Sequence, residues 1–347
     1  MNDRLAAASE IGRRRRRAIG WPQGTDTDSH AMYMNTFAQG GEPLDMTGTD
    51  EFRSLLTSAG DLGIPHDPGI PYRSSNIVLR QMRFHFTEWG HRGAPAIVLL
   101  HGGHQSCHSW DLVSLHLARK YHVLALDQRG HGDSEWSRDV EYSNHTMSLD
   151  AAAFIKAMNL NSPVLVGHSM GARNSMLLAK NDHSYLRAMV IVDVGPEVSE
   201  RGRAAIAGFV QANQEFDDLD HFVANVQKYD PYRKREHIER TVKYNLLKRA
   251  DGKFVSKCDS TPRRLGVLRG QGPLESLTLE DVAKYNLPVM VVRGENSNIL
   301  EADAAERFAA ALPRGKLVTV PNCGHNVHGQ NTKGFLEALN GFLDTLP

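Results

Sequence analysis

Cysteine is scarce in this chain. Cys107, Cys258 and Cys323 are the only three in 347 residues, odd in number, scattered, and without C-x-x-C spacing. That argues against a disulfide framework and against a cysteine-type zinc site. A reducing, cytoplasmic compartment is the natural expectation. A surplus of either charge is missing too, since 40 basic and 40 acidic residues cancel. Chains that bind nucleic acid usually carry a basic excess, so no nucleic-acid partner is expected. Long apolar runs are also absent. No stretch approaches the ~18 uninterrupted apolar residues of a membrane span, so no membrane association is expected. The basic run Arg13 to Arg17 reads as a solvated, disordered tail. A twin-arginine export signal would continue into an apolar stretch, whereas Trp21-Pro22-Gln23-Gly24-Thr25-Asp26 follows.

What is present is enough hydrophobic residue, 41%, for a sizeable core. The length suits one large α/β domain with an insertion, or two domains. Residues 1–75 are rich in Gly, Pro, Asp, Ser and Thr and read as an extension, partly disordered or packed on the core. Glu51 to Ala59 is expected to form one short helix there. From Asn76 the pattern changes. Ile77-Val78-Leu79 and Arg83 to Trp89 suggest a hairpin. Ala96 to Leu100, His122 to Leu126, Val164 to Val166, Ala188 to Val192, Pro288 to Val292 and Lys316 to Val320 are short apolar runs suited to strands buried on both faces. Helical patterns separate them, near Trp110 to Arg119, Ser148 to Met158, Ala302 to Ala311 and Gly334 to Leu343. The alternation predicts an α/β fold with a mostly parallel, doubly wound sheet. Residues 196–285 interrupt it after the sixth predicted strand. They read as a helical lid, with helices near 201–213, 219–229 and 235–247. The core is then 76–195 together with 286–347.

The most informative stretch is Val164-Leu165-Val166-Gly167-His168-Ser169-Met170-Gly171, an apolar strand running through Gly-X-Ser-X-Gly into a helical pattern. This is the signature of a nucleophile elbow, in which the serine sits on a strained turn and the glycines avoid collision with neighbouring backbone. A serine hydroxyl needs an adjacent base. His325, in the loop after the last predicted strand, is the candidate, and His328 is read as structural. An oxyanion needs two backbone donors. The N–H of Met170 and the N–H of Gly103, in His101-Gly102-Gly103, are assigned to it.

The triad acid is the harder assignment. The loop Arg293 to Leu300 carries Asn298 where an aspartate is expected, and Asn cannot stabilise an imidazolium by charge. Glu295 and Asp303 flank that position less suitably. Asp193, at the carboxyl end of the strand beside the elbow strand, is the favoured acid, fixing the His325 tautomer and stabilising its cation. Asp127 to Ser134 reads as a loop bracing the sheet edge. His101, His104 and His108 lie close in sequence but lack the companions of a metal site, so no metal is expected. His104, His108, Trp110 and His168 are placed at the pocket, and Arg173 is read as an ion-pair member or an anchor for a substrate carboxylate.

Taken together, His101-Gly102-Gly103, Asp127 to Ser134, Gly167 to Gly171 and Gly324-His325 resemble the α/β-hydrolase superfamily pattern over residues 76–347. Gly167 to Ser175 and Arg293 to Ser297 look more narrowly like members of the (E)-2-(acetamidomethylene)succinate hydrolase type, which place the acid after strand six. Cofactor-independent ring-cleaving dioxygenases of the same fold share that placement. The resemblance implies a serine hydrolase acting on an ester, amide or related acyl bond of a small molecule. It implies Ser169 as nucleophile, His325 as base, Asp193 as acid, Gly103 and Met170 as oxyanion donors, and no cofactor. Carbon–carbon bond hydrolysis, cofactor-free oxygenation and a non-catalytic ligand receptor stay as alternatives, and a homodimer is left open.

Overall fold

The computed structural model describes residues 42–197, 215–264 and 276–347, with positions 202, 204 and 208 between them. The arginine run and most of the helix expected at 201–213 lie outside the described residues. Among the described residues nine strands form the main sheet, in the order β1-β2-β3-β5-β4-β6-β7-β11-β12. Strands β1 (Leu44–Asp45), β2 (Tyr72–Leu79) and β3 (Met82–Trp89) are antiparallel, and β3 joins β5 antiparallel. From β5 (His122–Leu126) onwards, through β4 (Ala96–Leu100), β6 (Val164–His168), β7 (Ala188–Val192), β11 (Val289–Gly294) and β12 (Gly315–Val320), every pairing is parallel. The sixth predicted strand is therefore β7 here, because Leu44–Asp45 adds one strand at the edge.

The sheet is covered on both faces, which is why its parallel strands read as unbroken apolar runs rather than alternating ones. Within β4, Ile97 and Leu99 join one cluster, with Trp110, Phe335 and Leu339, while Val98 and Leu100 join the other, with Phe154, Met176 and Phe308. That is the period-two alternation of strand side chains. Helix α1 (Asp50–Asp61) starts at Thr49, whose hydroxyl accepts the Phe52 N–H, and it buries Phe52, Leu55 and Ala59 on one side. The segment before Asn76 thus belongs to the core from residue 50 onwards, and β2 begins at Tyr72 rather than Ile77. Helix α2 (Asp111–Leu117) packs with α1 on one face. Helices α3 (Asn144–Ala157) and α4 (Met170–Asn181) pack on the other face.

The β2–β3 turn is made by Arg80 and Gln81, both in the left-handed region (φ 48° and 66°). Two-residue hairpins need that geometry, usually from Asn-Gly. Here Arg80 is held by bonds to the Thr146 carbonyl (3.0 Å) and Asp150 (2.8 Å).

The described part of the insertion is not purely helical. Helices α5 (Leu219–Tyr229) and α6 (Arg235–Val242) accompany a three-stranded sheet of β8 (Glu215–Phe216), β10 (Phe254–Ser256) and β9 (Leu246–Lys248). The helix expected over 235–247 stops at Val242, and Leu246 and Leu247 pair with Ser256 and Val255 instead. Phe216, Phe222, Val223, Val226, Ile238 and Leu246 form a small core of its own. Tyr142 donates to Asp259 (2.6 Å), Trp136 donates to the Lys257 carbonyl (2.8 Å), and Arg240 reaches Asp111 (3.2 Å), so the insertion is fastened to the core at several points. Short helices α7 (Leu279–Val282) and α9 (Val327–Gln330), with α8 (Ala302–Ala311) and α10 (Thr332–Leu343), complete the layers. Among the described residues no helix is long and apolar enough to cross a membrane. All three cysteines are buried and unbridged.

Candidate active site

The chain passes from β4 to β5 on one side and then crosses to β6 on the other. The loops after β4 and β6 diverge at this switch point, where open α/β sheets place their sites. Ser169 follows β6 with φ 50° and ψ −111°, a strained conformation for a residue with a side chain. It is pinned by its own N–H to the Val192 carbonyl (3.0 Å). The glycines around it have no slack. A Cβ on Gly171 would lie 2.3 Å from the Leu100 carbonyl oxygen, and one on Gly167 would lie 2.6 Å from the Ala172 backbone. Gly171 N–H donates to the His101 carbonyl (3.1 Å), joining the elbow to the loop after β4.

The structure brings Ser169, His325 and Asp193 into one line. His325 Nε2 is 3.0 Å from Ser169 Oγ, and Nδ1 is 2.8 Å from Asp193 Oδ2. Ser169 is half-buried, His325 partly exposed and Asp193 fully buried. Asp193 sits in the left-handed region (φ 57°) just past β7. Its Oδ1 accepts the Gly294 N–H (3.0 Å), and its Oδ2 also accepts the Ser297 hydroxyl. Glu295 instead accepts the Asn322 N–H (3.0 Å), and Asp303 pairs with Arg307 on α8. Asn298 is exposed. The loop after β11 thus serves the carboxylate without supplying it.

The His325 loop is held from several directions. Gly324 N–H donates to Gln330 (2.6 Å), and Asn296 N–H donates to the Cys323 carbonyl (2.9 Å). A Cβ on Gly294 would lie 2.1 Å from the Gly324 carbonyl oxygen, so these two loops meet at backbone distance. The ring of His168 lies under the loop. Its Nε2 is 2.9 Å from the His325 carbonyl oxygen and its Nδ1 is 3.1 Å from Gln105 Oε1. Burial pushes its pKa well below the ordinary histidine value, helped by the neighbouring His325 and His328.

Met170 opens α4, so its N–H has no acceptor within the helix. Gly103 lies exposed in the loop after β4. The glycine that packing demands there is Gly102, not Gly103. A Cβ on Gly102 would meet His168 Nδ1 at 2.7 Å, whereas nothing lies within 4 Å of one on Gly103. Gly102 N–H donates to Gln105 (2.9 Å). The His101 ring lies between the Gly102 carbonyl oxygen (2.7 Å) and the Gln128 N–H, which donates to its Nε2 (3.0 Å). Burial, and then nearby His131, lowers its pKa to about 4, so it stays neutral and shapes the loop.

Three of the residues placed at the pocket from sequence are buried in packing contacts. Trp110 has no exposed surface and stacks on His328 at 3.8 Å. His108 is buried between Asp111 (3.2 Å) and the Tyr244 ring, 3.6 Å away, and so joins core to insertion. His168 is buried beneath the His325 loop. Each has its faces taken by protein. His104, half-buried and in the left-handed region (φ 60°), follows Gly103 directly. Arg173 is half-buried one turn along α4, and its N–H bonds back to the Ser169 carbonyl (2.9 Å).

The Asp127 loop also differs from expectation. It braces the interior of the sheet, not its edge. Asp127 accepts the Cys107 N–H (2.6 Å) and the Asp133 N–H (2.9 Å) and bonds His85 Nδ1 (2.7 Å). Burial raises its pKa, but these bonds outweigh burial and hold it well below the usual carboxylate range. Among the described residues, His85, Cys107 and Asp127 are the group whose ligand-type atoms converge, within 4.8 Å, rather than His101, His104 and His108.

Sequence reasoning missed Ser297, Gln105 and Gln330. Each is an ordinary polar residue, Ser297 and Gln105 in loops and Gln330 at the end of α9, whose role exists only once distant segments meet.

The alpha/beta hydrolase fold family matches residues 95–332, and the chain belongs to it. It is an enzyme of that family. Esterase Rv0045c of Mycobacterium tuberculosis is 27% identical over 309 residues, spanning 87% of this chain and 98% of that protein. The 2-(acetamidomethylene)succinate hydrolase of Mesorhizobium japonicum is 27% identical over 251 residues, spanning 72% of this chain and 88% of that one. A crystal structure of E-2-(acetamidomethylene)succinate hydrolase superposes with a TM-score of 0.71 at 24% identity, covering 79% of this chain and all of the other.

Proposed function

We propose that this enzyme is a serine hydrolase that cleaves an ester, amide or related acyl bond of a small molecule. The observation that carries the reading is the continuous path from Ser169 Oγ to His325 (3.0 Å) and on to Asp193 (2.8 Å). In this reading His325 Nε2 takes the Ser169 proton as the hydroxyl oxygen attacks the substrate carbonyl. The N–H groups of Gly103 and Met170 stabilise the oxyanion. His325 returns the proton to the leaving group, and water then attacks the acyl-enzyme with His325 again as base. Asp193 fixes the tautomer and stabilises the transient imidazolium. Two bonds from the β11 loop hold its carboxylate in place.

A fluorophosphonate probe tests activation directly. The expected outcome is covalent labelling at Ser169, with loss of both labelling and acyl hydrolysis in Ser169→Ala and an unchanged circular dichroism spectrum. Turnover persisting in that variant would refute the mechanism. Removal of the nucleophile is expected to lower turnover by roughly 10⁶-fold.

A further inference from the structure

A cavity of about 260 Å³ lies between the insertion and the core. Its lining includes none of Ser169, Met170, Gly103 or His325. It is walled by α6 and the residue before it, by Ser109 and Gln105 of the core, and by residues 326–333. Among the described residues its lining holds Arg233, Lys234, Arg240 and Lys333, and no Asp or Glu.

Several polar groups on this wall are buried without partners. Both ring nitrogens of His237 and of His328, Nε of Arg240, Oγ of Ser109 and Oδ1 of Asn245 have no hydrogen bond among the described residues. His237, Arg240 and His328 are 5%, 7% and 1% exposed. Orphaned buried donors are expensive, and each calls for an occupant. Arg240 Nε–H, the Ser109 hydroxyl and one N–H from each imidazole are free to donate, and the second nitrogen of each imidazole, the Ser109 oxygen and the Asn245 carbonyl oxygen are free to accept. Burial lowers the pKa of both histidines, so each is neutral with one N–H to give.

The charge has the same sense. Arg233 and Arg240 are already paired, with Asp230 (2.6 Å) and Asp111 (3.2 Å). Lys234 and Lys333 have no ion-pair partner among the described residues. Lys234 directly precedes α6 and Lys333 lies in the first turn of α10, so the positive ends of two helix dipoles adjoin the cavity. The volume is several times the ~30 Å³ share of one liquid water.

We propose that this cavity binds a small oxyanion, a phosphate group or a carboxylate, at a site distinct from the acyl site at Ser169. An oxyanion matches unpaired buried donors beside two lysines without an ion-pair partner and no carboxylate among the described lining residues, which a metal ion or an apolar ligand does not.

The test is isothermal titration and thermal denaturation of the full chain with inorganic phosphate and, separately, malonate, at ionic strength matched with sodium chloride. Saturable binding of at least one anion, with a rise in melting temperature, is expected, and the stronger of the two identifies the head group. Lys333→Glu changes an exposed residue and is expected to weaken binding about tenfold or more, the loss of one charge-assisted contact. Arg240→Met is expected to abolish it, with circular dichroism reporting separately on folding. Ser169→Ala is expected to bind the anion as the parent does, so the anion site and the triad reading can fail independently. Three results would overturn the site: no binding beyond the chloride control, binding indifferent to Lys333→Glu, or binding lost in Ser169→Ala.

Discussion

Core and insertion are stabilised in different ways. Strands β4, β6 and β7 are buried at every position and packed on both faces, and the loops at their ends carry Ser169, Asp193 and the loop from Gly102 to Gly103. Residues 215–256 of the insertion rest on a small cluster around Phe222 and Ile238 and on exposed ion pairs such as Arg249–Glu215 and Lys253–Glu215. Exposed pairs of that kind are worth about 0–1 kcal/mol each. The proposed reacting geometry is therefore built on strands buried on both faces, while α6, which walls part of the further cavity, belongs to the less extensively packed part.

The sharpest way to break this contrast is at the acid. Asp193→Asn keeps the shape of the side chain and removes its charge, and is expected to lower kcat by roughly 10⁴-fold with little change in melting temperature. Adding Asn298→Asp to that variant is expected to restore nothing, because residue 298 is exposed while the hydrogen-bonded seat belongs to residue 193. Recovery would mean that the two loops can trade the acid. Ser297→Ala removes one of the bonds to the Asp193 carboxylate, and a loss of roughly tenfold in kcat with KM unchanged is expected.

Stability probes test the rigid side of the comparison. Glu88 is fully buried on β3 and bonded to Arg92 (2.7 Å) and His122 (2.8 Å). Burial alone would raise its pKa, but those bonds prevail and hold it at about 2, against an ordinary 4.5. A lowered carboxylate stabilises the fold fully above its unfolded value and loses that contribution as pH falls towards its folded value. Acid unfolding is thus expected to draw on Glu88 between about pH 4.5 and 2. Glu88→Gln is expected to cost about 1–3 kcal/mol near neutrality and to flatten that window, measured by denaturant titration at several pH values. The smallest effect concerns motion. Amides of β9, β10 and α5 are expected to exchange hydrogen faster than those of β4, β6 and β7. Equal protection would show that the insertion is as firmly built as the sheet.

The fold was largely legible, because strands buried on both faces write themselves as apolar runs and Gly-X-Ser-X-Gly sits between one such run and a helix. Asp193 could be singled out because Asn298 carries no charge. The strands of the insertion were not legible: Leu246–Lys248 and Phe254–Ser256 are three residues each, too short to show a period against a charged helical background. Nor was the burial of Trp110, His108 and His168. Aromatic residues near an oxyanion loop read as pocket wall, yet His328, Tyr244 and the His325 loop arrive from remote parts of the chain to cover them. Gly102 and Gly103 are indistinguishable in sequence, and only the proximity of His168 separates them.

Placing the carboxylate on β7 changes what the turn beyond β11 is for. The Gly294 N–H and the Ser297 hydroxyl contribute two dipoles rather than a full charge, so under the proposed mechanism altering Ser297 adjusts catalytic output by degrees instead of switching it off. Ser297 is therefore a dial for engineering.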